Sequence, residues 1–311
     1  MPQTFSRRDF LVAGGGVGAA ALAQVSGSPL SAATNDTPWR YCLNTATIRE
    51  QKVGIVREVD LTAEAGYDAI EPWMDTLHHY VEQGGSLPDL KKRIADRGLT
   101  VESAIGFANW IGEDDAGRKQ GLEQARRDMD LLAQIGGKRI AAPPIGAHDK
   151  PGPDLPTAAA RYRALLDIGA SIGIVPQVEL WGFSRTLNRL SETVYVAVES
   201  GHPQACVLPD IYHLHKGGSR FDVVKLLSGI AVQVFHLNDY PADPPRESIS
   251  DAHRVYPGDG VAPLPALMKD LRQAGFRGVL SLELFNREYW KQDPLLVAKT
   301  GLEKMRRVAA L

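Results

Sequence analysis

Short apolar runs alternate with longer amphipathic stretches eight times from Trp39 to the C-terminus, and few folds accommodate that rhythm. The strand candidates are residues 40–47, 67–72, 100–107, 138–143, 175–181, 205–209, 232–238 and 279–284. Between them apolar residues recur every three or four positions, as in 122–135 and 157–172, which is the spacing of a helix with one buried face. Gly66, Gly98, Gly136, Gly201 and Gly275 stand where such helices should end. Eight consecutive strand–helix units predict an α/β protein, a (β/α)8 barrel in a single domain over residues 34–311, with a doubly wound sheet as the competing arrangement. No linker divides the run. Two loops are rich in turn residues, 145–156 after the fourth strand and 239–263 after the seventh. Both belong to the barrel face that carries chemistry.

Residues 1–33 stand outside this pattern. Arg7 and Arg8 precede Phe10 and Leu11, a Gly/Ala-rich apolar stretch follows, and small residues close the segment at Ser31, Ala32 and Ala33. That order is expected of a removable leader of the twin-arginine type, which exports a folded protein to the periplasm. Gly14, Gly16 and Ala19 spell a nominal dinucleotide-binding fingerprint, but no strand precedes them, so the reading is rejected. The stretch is too glycine-rich for a permanent membrane span. Lys and Arg total 35 against 37 Asp and Glu, a net charge of -2, which argues against a nucleic-acid partner. Export permits a disulfide, yet Cys42 and Cys206 sit in predicted interior strands and are expected as unpaired buried thiols.

Charged groups at strand ends carry the functional signal. Glu179 ends V-P-Q-V-E, Asp210 ends A-C-V-L-P-D, His236 lies in V-Q-V-F-H and Glu283 in V-L-S-L-E. An isolated carboxylate in an apolar strand is costly unless it is paired, hydrogen-bonded or bound to a cation. The four come from strands five to eight, neighbours in a barrel, so their side chains are expected to converge on one rim. Three carboxylates and an imidazole suit one divalent metal, Mn²⁺, Mg²⁺, Co²⁺ or Zn²⁺, with positions open to substrate oxygens. His213 and Arg254 are expected to bind substrate oxygens, and Glu71, Trp73 and Trp110 to line a sugar pocket. His78, His79, His148, His202 and His253 are expected at the surface.

The stretches V-E-L-W-G, D-I-Y-H-L-H-K-G-G-S, F-H-L-N-D, H-R-V-Y-P-G-D-G and G-F-R-G-V-L-S-L-E-L-F-N-R-E-Y-W resemble the sugar-phosphate isomerase/epimerase, or xylose-isomerase-like, barrel superfamily, most closely its inosose isomerase branch. The resemblance is specific over residues 175–290 and general before them. It implies metal ligation by Glu179, Asp210, His236 and Glu283, and an active-site histidine and arginine at His213 and Arg254. The exported leader departs from the cytoplasmic inosose isomerases.

The expected activity is a metal-dependent isomerase or epimerase of a keto-sugar or cyclitol, with Glu179 and Glu283 moving a proton through an enediolate. An exported lyase or dehydratase, eliminating from 3-keto-glycosides, shares the first proton abstraction and stands as the alternative. A periplasmic sugar-binding protein without turnover is a third reading, and a homo-oligomer is compatible with all three. An endonuclease-IV-like nuclease needs more strand-end ligands and a basic face, and the chain has neither.

Overall fold

The computed structural model describes residues 39–311, so the leader with Arg7 and Arg8 lies outside the described residues. Eight parallel strands follow the expected order: β1 (Arg40–Asn44), β2 (Ala69–Glu71), β3 (Thr100–Val101), β4 (Arg139–Ala142), β5 (Val175–Glu179), β6 (Val207–Leu208), β7 (Val234–His236) and β8 (Val279–Leu282). One ladder runs β3-β2-β1-β8-β7 and a second runs β4-β5-β6. Two junctions close the ring. Val207 pairs with Val232 and Asp210 with His236 across β6 and β7. Across β3 and β4, Ala104 N–H donates to the Arg139 carbonyl (3.1 Å) and Ala141 N–H to the Ala104 carbonyl (2.8 Å). The barrel is the (β/α)8 fold that the alternation predicts.

Helices pack outside the ring, and their ends follow the expected chemistry. Asp114, Asp154 and Asp293 accept from the backbone N–H three residues on and start the helices Asp115–Gln134, Leu155–Ile172 and Pro294–Ala309. The five expected terminal glycines all have positive φ, between 59° and 92°. The barrel interior is filled by small and branched side chains such as Cys42, Ala69, Ala141, Leu208 and Val234. Cys42 and Cys206 are buried free thiols. Among the described residues no helix is long and apolar enough to cross a membrane.

The strands are shorter than their apolar runs. Residues 45–47, expected to continue β1, open the 3-10 helix Thr45–Gln51 because Asn44 Oδ1 accepts from Ala46 N–H (2.9 Å) and turns the chain. After β6 the chain forms a short helix, Ile211–Gly217, capped by Asp210. The loop after β7 is pinned by Asp239, whose carboxylate accepts from the N–H groups of Tyr240, Gly258, Gly260 and Ala262 at 2.8–3.0 Å. That loop carries Asp251 and Arg254 back over the C-terminal ends of the strands.

Candidate active site

A strand that ends in a polar residue delivers that side chain to the barrel mouth, and four strands do so together. Glu179 closes β5, His236 closes β7 and Glu283 follows β8. One ligand atom from each lies within 4.8 Å of the others. Asp210, two residues beyond β6, stands beside them with Oδ2 3.7 Å from His236 Nδ1. All four are buried.

His236 is oriented from behind. Its Nε2 is 3.0 Å from Glu71 Oε2, an oxygen that also accepts from Ser281 Oγ (2.7 Å) and Asn44 Nδ2 (3.0 Å). Nε2 therefore carries a proton and Nδ1 faces inward, toward the other carboxylates. Nδ1 has no hydrogen-bond partner, although Glu283 Oε2 lies 3.2 Å away. Burial opposes an imidazolium, but the Glu283 and Glu71 carboxylates outweigh it and hold the His236 pKa well above its ordinary value. Burial also opposes ionisation of Glu71, yet the His236 charge and the hydrogen bonds it receives keep its pKa low. Burial, reinforced by Glu283, pushes Glu179 well above the usual carboxylate range.

Arg254 is fully buried and spans the anionic groups. Nη1 donates to Asp210 Oδ2 (2.8 Å) and Glu283 Oε2 (2.9 Å), while Nη2 reaches Asp251 Oδ1 (2.5 Å) and His213 Nε2 (3.1 Å). The other nitrogen of His213 faces the Gly182 N–H at 3.3 Å. Burial, with the Arg254 and His236 charges and against Asp210, depresses the His213 pKa to about 3, so the ring is neutral. Glu179, Glu283, His213 and Arg254 form the polar floor of a cavity of about 220 Å³, and Trp73 lies in its wall.

The structure brings together every expected site residue except two. Glu71 is completely buried beneath His236, bonded to its Nε2, and does not line the cavity where a sugar-pocket residue is expected. Trp110 is completely buried, donates to the Pro143 carbonyl (2.7 Å) and packs on Tyr162, again away from the cavity. Of the five histidines expected at the surface only His79 is exposed; His148 sits edge-on to Trp181, 5.8 Å between ring centres. Sequence reasoning missed Asn44, a polar residue at a strand end like the others, and Asp251, whose only signal was its spacing of three from Arg254.

A divalent cation fits this donor set. The buried carboxylates of Glu71, Glu179, Asp210 and Glu283 face one guanidinium and one imidazole, so ionising all four, Glu179 included, leaves two negative charges even with both bases protonated. Buried charge of that size calls for a counter-ion. The inward Nδ1 of His236, without a hydrogen-bond partner, is the atom that would exchange its proton for a metal.

Fold and site together define the class. The model of the xylose isomerase-like TIM barrel matches residues 59–308, and the chain belongs to that family. It is 27% identical to the inosose isomerase of Bacillus velezensis over 271 residues, covering 85% of this chain and 95% of that one. To the 3-dehydro-D-guloside 4-epimerase of Escherichia coli it is 25% identical over 235 residues, covering 71% and 83%. Among solved structures, the IolI protein with a bound zinc atom superposes with a TM-score of 0.81 at 24% identity, covering 87% of this chain and 98% of that one. Such relatives place the chain among the isomerases and epimerases of its family.

Proposed function

We propose that the chain is a divalent-metal-dependent isomerase or epimerase of a keto-sugar or cyclitol, working by proton transfer through an enediolate. The observation that carries this reading is the convergence of Glu179, His236 and Glu283 at the C-terminal ends of their strands, two of them lining the cavity, with His236 Nδ1 without a hydrogen-bond partner. The relatives that isomerise inosose or epimerise a dehydro-guloside support it.

Glu179, His236 and Glu283 would hold the cation, and Asp210, whose Oδ2 accepts from Arg254 and Asn238, would be the fourth ligand. The cation, when bound, supplies a fixed positive charge and Lewis acidity beside the substrate carbonyl. Glu179 and Glu283 flank the reacting carbons. One takes the C–H proton as the enediolate forms, and the other returns a proton to the adjacent carbon or the opposite face. Arg254 and neutral His213 hold the substrate oxygens on which negative charge develops. Zinc in the solved IolI structure makes Zn²⁺ one candidate beside Mn²⁺, Mg²⁺ and Co²⁺. The leader with Arg7 and Arg8 supports export of the folded barrel to the periplasm.

The test is NMR in D₂O with metal-loaded enzyme and keto-sugars or inososes. Deuterium should enter a carbon next to the carbonyl, and Glu283→Gln should slow that exchange by about 10²-fold or more. A product of unchanged composition marks isomerisation, whereas loss of water or an aglycone marks the lyase. Exchange that survives both exhaustive chelation and Glu283→Gln would sink the proposal.

A further inference from the structure

The cavity has two zones of opposite chemistry, and the second bears on what is attached to the sugar; this inference rests on the keto-sugar reading above. Ionisable groups occupy the floor. The rim is aromatic: Trp73 after β2, Phe107 after β3, Trp181 and Phe183 after β5, and Phe285 after β8. Their rings form one continuous chain. Phe285 and Trp73 are 5.9 Å apart between centres, Trp73 and Phe107 5.0 Å, Phe107 and Trp181 6.2 Å, and Trp181 and Phe183 5.1 Å. Phe107 and Phe183 each remain 43% exposed at the opening, although exposed phenylalanine gains nothing from water.

The rim offers little besides ring faces. Trp73 Nε1 is committed to Asn44 Oδ1 (3.0 Å), and the Trp181 side chain hydrogen-bonds Glu179. Asp251, a lining carboxylate off the floor, is bound to Arg254. Sugar recognition combines stacking with polar groups that meet the hydroxyls. Here those two functions are separated, polar groups below and bare rings above.

We propose that the rim is a subsite for an aromatic aglycone, so that the substrate is an aryl glycoside whose oxidised sugar reaches the floor. A planar ring at the mouth would stack on Phe107, Trp181 and Phe183 and cover the exposed apolar surface.

Calorimetry on the Mn²⁺-loaded full chain tests this with two unreactive probes, phenyl and methyl β-D-glucoside. The phenyl compound should bind at least about tenfold more tightly, the worth of burying most of one ring face. The double variant Phe107→Ala/Phe183→Ala should reduce that ratio to within about threefold. Both positions are exposed, so the barrel should fold, and Phe183→Ala alone provides a milder version of the same comparison. Equal binding of the two probes to the unaltered enzyme, or a preference that survives both truncations, overturns the subsite. Deuterium exchange on the 3-keto forms of the same glycosides reports separately on the chemistry. A phenyl preference without exchange on either compound defeats the isomerase reading and leaves the rim standing.

Discussion

Replacing Glu71 by glutamine removes a charge without removing a heavy atom. Oε2 of Glu71 accepts from three donors, His236 Nε2 at 3.0 Å, Asn44 Nδ2 at 3.0 Å and Ser281 Oγ at 2.7 Å. A glutamine carbonyl oxygen in the same place meets the same three donors, so packing and ring orientation should survive. What disappears is the anion behind the imidazole. A hydrogen bond to a charged acceptor is worth about 1.5–3 kcal/mol and a neutral one about 1, so the change at His236 is about 1–2 kcal/mol. Loss of the carboxylate also makes Nδ1 less basic toward a cation. Partners that hold a ligating histidine typically carry about 10–100-fold in metal affinity, which agrees with that figure. Glu71→Gln should therefore weaken Mn²⁺ or Zn²⁺ binding by about 10–100-fold in isothermal titration, while Tm measured in chelator moves little. His236→Ala serves as the comparison and should abolish the binding. A Glu71→Gln dissociation constant within threefold of the unaltered protein would refute the assignment of Glu71 as the group that aims His236.

Three more outcomes follow from the same structure. Glu58 is buried on the helix Gly54–Ala65 with Oε2 unpartnered, and burial, then Asp75, raises its pKa to about 8. Its protonated form stabilises the fold fully below the unfolded value near 4.5, and that contribution is lost as pH rises through about 8; the total is roughly 5 kcal/mol. Glu58→Gln should flatten this slope in urea titrations and stabilise the protein at pH 8.5 but not at pH 4, and an unchanged slope would contradict it. Trp110→Phe should lower stability by about 1–3 kcal/mol, because the Pro143 carbonyl loses its donor, with KM unaltered. A raised KM at constant stability would return Trp110 to the sugar pocket. Saturating Mn²⁺ at 100 times its dissociation constant should add about 2.7 kcal/mol to the stability of the chelated protein in calorimetry. A Tm indifferent to the ion would speak against the metal centre.

The fold was legible because each strand is a short apolar run bounded by a glycine-ended helix, a pattern that survives without any tertiary information. Strand ends were not, since they are decided by single side chains: Asn44 Oδ1 diverts the chain into a 3-10 helix, and Asp210 caps a short helix directly after β6. In the second half a charge in an apolar run marked Glu179, Asp210, His236 and Glu283, and the structure brings these four together. The first half hid more. Glu71 obeyed the same strand-end rule but faces the back of His236 instead of the cavity, and register alone does not separate those two positions. Trp110 shares its composition signal with Trp73, yet one is enclosed beside Tyr162 and the other stands in the cavity wall. The rim residues Phe107, Phe183 and Phe285 gave no signal of their own, because periodicity does not record which end of a barrel a ring occupies.

That division of labour has a physical consequence at Asn44. Its amide nitrogen donates to Glu71 Oε2 (3.0 Å) and Glu283 Oε1 (3.1 Å), while its oxygen accepts from Ala46 N–H (2.9 Å) and Trp73 Nε1 (3.0 Å). Every strong hydrogen-bonding position of the side chain is used, and the residue is completely buried. One amide thus ties the group behind His236, the carboxylate proposed to move a proton and a ring of the aromatic rim into a single network. A rotation of Trp73 over a bound aglycone would move the oxygen end of that amide, and the nitrogen end would carry the strain to Glu283. Substitutions in the first half that reshape the rim are therefore expected to alter kcat as well as KM, because the rim and the floor share a rigid hydrogen-bonded link.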